Sequence, residues 1–307
     1  MTISDHPILI FDGACGTNLQ EMNIPEEAWG EYTGCNEYLN LTAPETIIAL
    51  HKAFLEAGAM VVETNTFGAS SIVLAEYDLA DRTEEINHAA VKNARTAIGD
   101  RRDCYIAGSV GPTTKLPSLD HISVDDLAAS CRQQISALVS AGVDLLAIET
   151  CQDLLQIKTA LIACYETLEE TGQEIPVMVS VTMEQQGTML VGSDIAAVCA
   201  TLEPFPIFSL GLNCATGPAD MESHIRFLSQ NWPGRISCMP NQGLPQVIDG
   251  RTHYPLTPES YVEHMCKFVE NEGITVVGGC CGTTPEHIRQ LAAASANFTP
   301  ANREVTT

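Results

Sequence analysis

The chain alternates between short, continuous apolar runs and longer stretches whose apolar positions recur at helical spacing. The runs fall at residues 8–11, 60–62, 105–109, 144–148, 177–181, 207–212, 235–239 and 274–277, and predict eight strands. Helical patterns follow at 44–58, 84–98, 124–140, 153–170, about 194–202, about 219–228, 258–270 and 284–296. Residues 20–43 show neither period and read as irregular, with Pro25, Gly30 and Gly34 among them. A faint echo runs through the chain: Ala57-Gly58, Ala141-Gly142 and Glu272-Gly273 each close a helix just before an apolar strand.

Strands that are apolar throughout, rather than alternating, belong in a parallel sheet covered on both faces. Eight of them alternating with helices, with no linker between, predict an α/β fold: one (β/α)8 TIM-type barrel. The barrel is expected to occupy residues 1–298, with 299–307 as a flexible C-terminal tail. An open doubly wound sheet is the alternative, but no strand is followed by Gly-x-Gly-x-x-Gly. In a barrel the C-terminal strand ends meet at one mouth, where active sites form. Asp12, Asn65, Glu149, Cys214, Asn241, Cys280 and Cys281 all stand at such ends.

Charge narrows the partners. With 15 Lys+Arg against 39 Asp+Glu, the formal net charge is -24. Such a surface repels phosphate backbones and anionic lipid, so neither nucleic acid nor membrane is expected as a partner. No apolar run is long enough for a membrane span, and the first eleven residues do not form a signal peptide. The 12 cysteines include no Cys-x-x-Cys pair. They read as reduced thiols of a cytoplasmic protein rather than as a disulfide framework.

The stretch Gly278-Gly279-Cys280-Cys281-Gly282-Thr283-Thr284-Pro285 joins the last predicted strand to the last helix. Adjacent strand residues face opposite ways, so neighbouring cysteines share a ligand only where the backbone bends; the glycines permit that bend. Thr283 or Thr284 suits the N-cap and Pro285 the first turn, which puts the thiols at the positive end of a helix and favours their ionisation. Cys214, 66 residues before Cys280, meets them at the mouth. Three thiols suit a soft or borderline metal, most plausibly Zn²⁺, with a fourth position left for substrate. The plainer readings are a structural site of four cysteines that adds Cys15, Cys35 or Cys151, a vicinal disulfide, or two small residues at an ordinary turn. Three thiolates make a poor Lewis acid for hydrolysis but suit a different task, ionising an incoming thiol while keeping it nucleophilic.

Asn213-Cys214 with Gly217-Pro218, together with the Gly278–Pro285 stretch, resembles the zinc motifs of the homocysteine S-methyltransferase family. Asp12-Gly13-Ala14-Cys15-Gly16-Thr17, Glu63-Thr64-Asn65-Thr66-Phe67 and Pro240-Asn241-Gln242-Gly243-Leu244-Pro245 resemble most closely the homocysteine-binding domain of cobalamin-dependent methionine synthase. The resemblance runs over residues 8–296. It implies that Cys214, Cys280 and Cys281 hold Zn²⁺ and that the homocysteine thiolate takes the fourth position, which Asn241 can occupy in the free enzyme. Asp12 and Glu149 would hold the substrate ammonium, and amides around Gly13 and Ala14 its carboxylate; Asn65 belongs to the same substrate site. No histidine falls at these positions. The chain departs from methionine synthase in having no methyl-folate barrel and no Asp-x-His-x-x-Gly cobalamin signature, and in carrying Gln242 where alanine is usual. The expected donor is therefore a methylated corrinoid on a separate protein. Betaine or S-methylmethionine is the alternative, for which Trp29 and Tyr32 are the candidate aromatic contacts. A non-catalytic zinc-binding barrel subunit is the alternative of another class.

Overall fold

A computed structural model describes residues 2–248 and 251–305. Its strands in chain order are β1 (Leu9–Ile10), β2 (Val61–Glu63), β3 (Tyr105–Val110), β4 (Leu145–Cys151), β5 (Val177–Val181), β6 (Ser209–Asn213), β7 (Arg235–Met239), β8 (Gln246–Ile248), β9 (Arg251–His253) and β10 (Val276–Val277). Eight of them form one sheet in the order β1-β10-β7-β6-β5-β4-β3-β2, every pairing parallel. A parallel bridge between Phe11 and Val61 joins the two ends, so the sheet closes into the expected α/β barrel.

The eight barrel strands are mainly apolar because both of their faces are covered. Leu9, Phe11, Val61, Ala107, Ala147, Met178, Met239 and Val276 pack together as one cluster, the barrel interior. Their neighbours Ile10, Val62, Ile106, Leu146, Val179 and Leu210 pack in the other cluster, against the helix layer. Burying a side chain of this size contributes about 1.5–3 kcal/mol relative to exposure. Polar substitution at these positions therefore attacks the fold rather than the site.

Helix boundaries follow local chemistry. Ser123, Asp153, Asp194 and Thr257 each accept a backbone N–H from the first turn of the helix they open. Gly58 (φ 105°) and Gly142 (φ 90°) close their helices in the left-handed region, which side chains with a Cβ disfavour.

The structure adds detail to the segment read as irregular. It holds short helices at Glu26–Trp29 and Leu39–Thr42 and a 3-10 turn at Asn36–Tyr38. A two-stranded antiparallel hairpin, β8 with β9, follows β7 and has no counterpart among the expected elements. At the C-terminus, the N–H of Ala301 donates to the Val269 carbonyl, and the Arg303 guanidinium donates to the carbonyls of Trp232 and Gly234. Among the described residues, no helix is long and apolar enough to cross a membrane.

Candidate active site

The loops after β6 and β10 bring Cys214, Cys280 and Cys281 together. Their sulfurs all lie within 4.8 Å of one another, and those of Cys214 and Cys281 are 3.9 Å apart. A tetrahedral zinc at about 2.3 Å from each sulfur needs sulfurs about 3.8 Å apart, so the triad fits such an ion. Among the described residues this is the only group of three or more possible ligand side chains gathered closely enough to hold a metal. Cys15 instead faces Asn65, Cys35 faces Glu37 and Cys151 faces the Glu149 carbonyl.

The backbone is bent to make this possible. Cys214 (φ 62°) and Ala215 (φ 55°) both occupy the left-handed region, where non-glycine residues are strained. The Cys214 loop crosses the loop after β7 so closely that a Cβ on Gly217 would lie 2.7 Å from the Gly243 Cα. On the other side, a Cβ on Gly279 would lie 2.3 Å from the Thr283 hydroxyl oxygen. Thr283, which the sequence marks only as a possible N-cap, ties two loops together. Its hydroxyl donates to the Cys280 carbonyl (2.6 Å) and accepts the Ala14 N–H (3.2 Å). Ala14 is thereby engaged, and a substrate carboxylate would have to displace this bond.

The thiols do not share one electrostatic fate. The Cys214 and Cys280 thiols donate to Cys281, the Tyr254 phenol adds another bond, and together they pull Cys281 down to about 3. Cys280 is driven well up by its bonds to Cys214 and Cys281 and by burial. Ionisation is thus favoured at Cys281 and disfavoured at Cys280. Tyr254 reaches Cys281 over Gly282, where a Cβ would lie 2.4 Å from the phenol ring.

Opposite the sulfurs stand three carboxylates. Asp12 follows β1 and is 4% exposed; its Oδ2 accepts the Glu63 N–H (3.1 Å), while its Oδ1 is buried without a hydrogen-bond partner. Glu149, in β4, is 8% exposed and accepts from the Ser109 hydroxyl and, at 3.3 Å, from the Asn213 amide. Asn213 in turn accepts the Thr150 N–H and the Ser180 hydroxyl, both at 2.9 Å. The side chain that orients Glu149 therefore immediately precedes Cys214. The third carboxylate, Glu63 at the end of β2, has one oxygen buried and unpartnered. Burial first, then repulsion from Glu149, holds Asp12 and Glu63 well above the carboxylate range. Burial also carries Glu149 up to about 7.

Asp12, Glu63, Glu149 and the three cysteines line one cavity of about 330 Å³, which His51 and Phe54 back. Gly13, Ala14 and Asn65 line it too. Asn65 braces the rim, donating to the Asn36 carbonyl at 2.7 Å. Asn241 does not line the cavity, but it lies buried beside the Cys214 loop, with its N–H on the Thr216 carbonyl and its side-chain oxygen unpartnered. Neither Trp29 nor Tyr32 reaches the cavity. Glu63 and Asn213 belong to the site although the sequence analysis does not assign them to it. Both share the inward face of their strands, Glu63 with Val61 and Asn213 with Gly211.

A closed parallel barrel carries, in one cavity, buried carboxylates and a thiol triad that could hold a soft metal. The family model for homocysteine S-methyltransferase matches residues 9–295, and the chain belongs to that family. It is 41% identical over 302 residues to the methionine synthase of Mycobacterium tuberculosis (strain ATCC 25618 / H37Rv), covering 97% of this chain and 25% of that protein. To the methionine synthase of Mycobacterium leprae (strain TN) it is 41% identical over 293 residues, covering 94% of this chain and 24% of that protein. The chain spans about a quarter of the length of these relatives. The metallated form of the homocysteine methyltransferase MmuM from Escherichia coli shares the fold. It superposes with a TM-score of 0.76 at 24% identity, covering 95% of this chain and 98% of that one.

Proposed function

We propose that the chain transfers a methyl group to homocysteine, forming methionine, in a zinc-dependent reaction whose donor is a methylated corrinoid on a separate protein. The observation that carries this reading is the facing of three sulfurs and three carboxylates across one cavity. Cys214, Cys280 and Cys281 would hold Zn²⁺, which supplies the charge that ionises a thiol whose ordinary pKa is roughly 8.5. A reducing cytoplasm keeps such a triad able to bind metal.

The chain's own residues orient the substrate. Asp12 and Glu149 take the ammonium, and the amide of Gly13 takes the carboxylate. The thiol is then the one polar group left to face the cysteines. Asn241, whose buried side-chain oxygen has no partner, would hold the metal's remaining position until substrate displaces it. In the reaction the homocysteine S–H proton leaves to solvent, the new S–CH3 bond forms and the donor–CH3 bond breaks. A general base is not required once the thiol is ionised.

The surface around the mouth supports a protein-borne donor. Phe67, Leu119, Val124, Leu155, Leu190 and Val247 are exposed, and all stand on the loops or helix starts that follow strands at this end. Of the large exposed apolar side chains among the described residues, only Ile162 lies elsewhere. Apolar exposure concentrated on one rim fits a surface that another protein covers.

A donor panel tests the reading. Zinc-loaded protein is given homocysteine with, in turn, a methylated corrinoid protein, free methylcobalamin, betaine and S-methylmethionine, and methionine is measured. Turnover is expected with the corrinoid protein and, more slowly, with methylcobalamin. Turnover with betaine or S-methylmethionine alone would establish a small-molecule donor instead. No methionine from any donor, in protein that holds its zinc, would favour a non-catalytic subunit.

A further inference from the structure

Three carboxylates facing one small cavity exceed what the family resemblance uses. Asp12 and Glu149 are accounted for; Glu63 is not. Glu63 sits on β2, between the strand end that carries Asp12 and the strand that carries Ser109, the hydrogen-bond donor to Glu149. Its backbone N–H already binds Asp12, while its side-chain Oε1 is buried with no partner. Asp12 Oδ1, at a residue only 4% exposed, is likewise unpartnered. Glu149 meets Asn213 only through a long 3.3 Å bond. Among the described residues, no lysine or arginine lines the cavity, so no protein cation answers these carboxylates.

A primary ammonium has three N–H donors and no acceptor, and carboxylates are pure acceptors when ionised. We propose that Glu63, beside Asp12, is a further carboxylate contact of the substrate ammonium, and thereby a specificity-determining residue for primary amines. The proposal rests on reading the cavity as the homocysteine site. Burial, with Glu149 and Asp12 close by, pushes the Glu63 carboxyl well up, a cost that an incoming ammonium relieves. A site built to bind a polar group discriminates strongly against an analogue that lacks it, because the site's own groups are then left unpaired.

The test is titration calorimetry on the zinc-loaded protein, wild type and Glu63→Gln, with homocysteine and with its des-amino analogue 4-mercaptobutanoate. Glu63→Gln keeps the side chain's size, and its zinc content and thermal unfolding are recorded alongside. Homocysteine affinity is expected to fall about tenfold to a hundredfold. Affinity for 4-mercaptobutanoate should stay unchanged, and Glu63→Asp should recover part of the loss. Unchanged homocysteine affinity in Glu63→Gln, or equal weakening of both ligands, would overturn the role of Glu63 alone. Failure of the wild-type protein to bind homocysteine would overturn the functional reading, and this proposal with it.

Discussion

The cysteine half of the mouth and the carboxylate half are held by opposite means. The cysteines ride on loops whose backbone is strained, through left-handed Cys214 and Ala215 and glycines that admit no Cβ, yet their sulfurs satisfy one another. The carboxylates ride at strand ends, where strain is confined to left-handed Thr150 (φ 56°) beside Glu149, and two of the three retain an unpartnered buried oxygen. The sulfur half keeps its cost in the main chain, and the carboxylate half keeps most of its cost in desolvated side chains. The difference matches their tasks. A metal demands fixed positions, which bent loops enforce. A substrate that comes and goes demands unmet hydrogen-bonding capacity, which it fills on arrival.

The strongest way to break this contrast lies on the sulfur side. Cys214→Ser, Cys280→Ser and Cys281→Ser should each lose zinc and all measurable activity while the barrel stays folded, as judged by metal analysis and circular dichroism. Full zinc in any one variant would remove that residue from the ligand set.

The dryness of the carboxylate half can be sharpened through His51, which backs it. Burial lowers the His51 pKa to about 4 from the ordinary 6.5. The folded state therefore binds fewer protons there than the unfolded state below pH 6.5. The associated stability is fully present above 6.5 and is lost as pH falls through about 4. Urea unfolding of wild type and His51→Gln at pH 7 and 4.5 should show the difference between them shift in the variant's favour at low pH. The shift should be roughly 2–3 kcal/mol. A pH-independent difference would mean that water reaches this side of the cavity.

The smallest effect comes from single carboxylates. Glu149→Gln and Asp12→Asn should each weaken homocysteine binding by about 1.5–3 kcal/mol in calorimetry, with zinc content unchanged. Loss of zinc in either variant would mean that the two halves are not separable, and Asn213, which joins Glu149 to Cys214, would be the connection to examine.

The two halves are unequally legible in the sequence. The eight strands are visible because burial on both faces leaves unbroken apolar runs. The sulfur half is visible because paired cysteines among glycines have few other uses. Glu149 stands out as a polar residue ending such a run, and Glu63 ends its run in the same way. Asn65, two residues on, masks it, because its motif draws the eye to the loop rather than to the strand. Parity is the signal that recovers Glu63, since Val61 and Glu63 share the barrel's inner face. Tyr254 has no local signal. It reaches Cys281 because the β8–β9 hairpin brings the chain back. The contacts of Ala301 and Arg303 depend on carbonyls distant in sequence, which a polar composition does not reveal.

The bridge between Phe11 and Val61 makes the barrel a hoop with a clasp. Elsewhere the strands meet in ladders; at this seam the rungs are Met60 N–H to the Ile10 carbonyl and Asp12 N–H to the Val61 carbonyl. The next rung is not backbone at all: the Glu63 N–H closes onto the Asp12 carboxylate. The circumference is thus completed by a side chain that also faces the cavity. A guest that draws on that carboxylate pulls on the clasp itself.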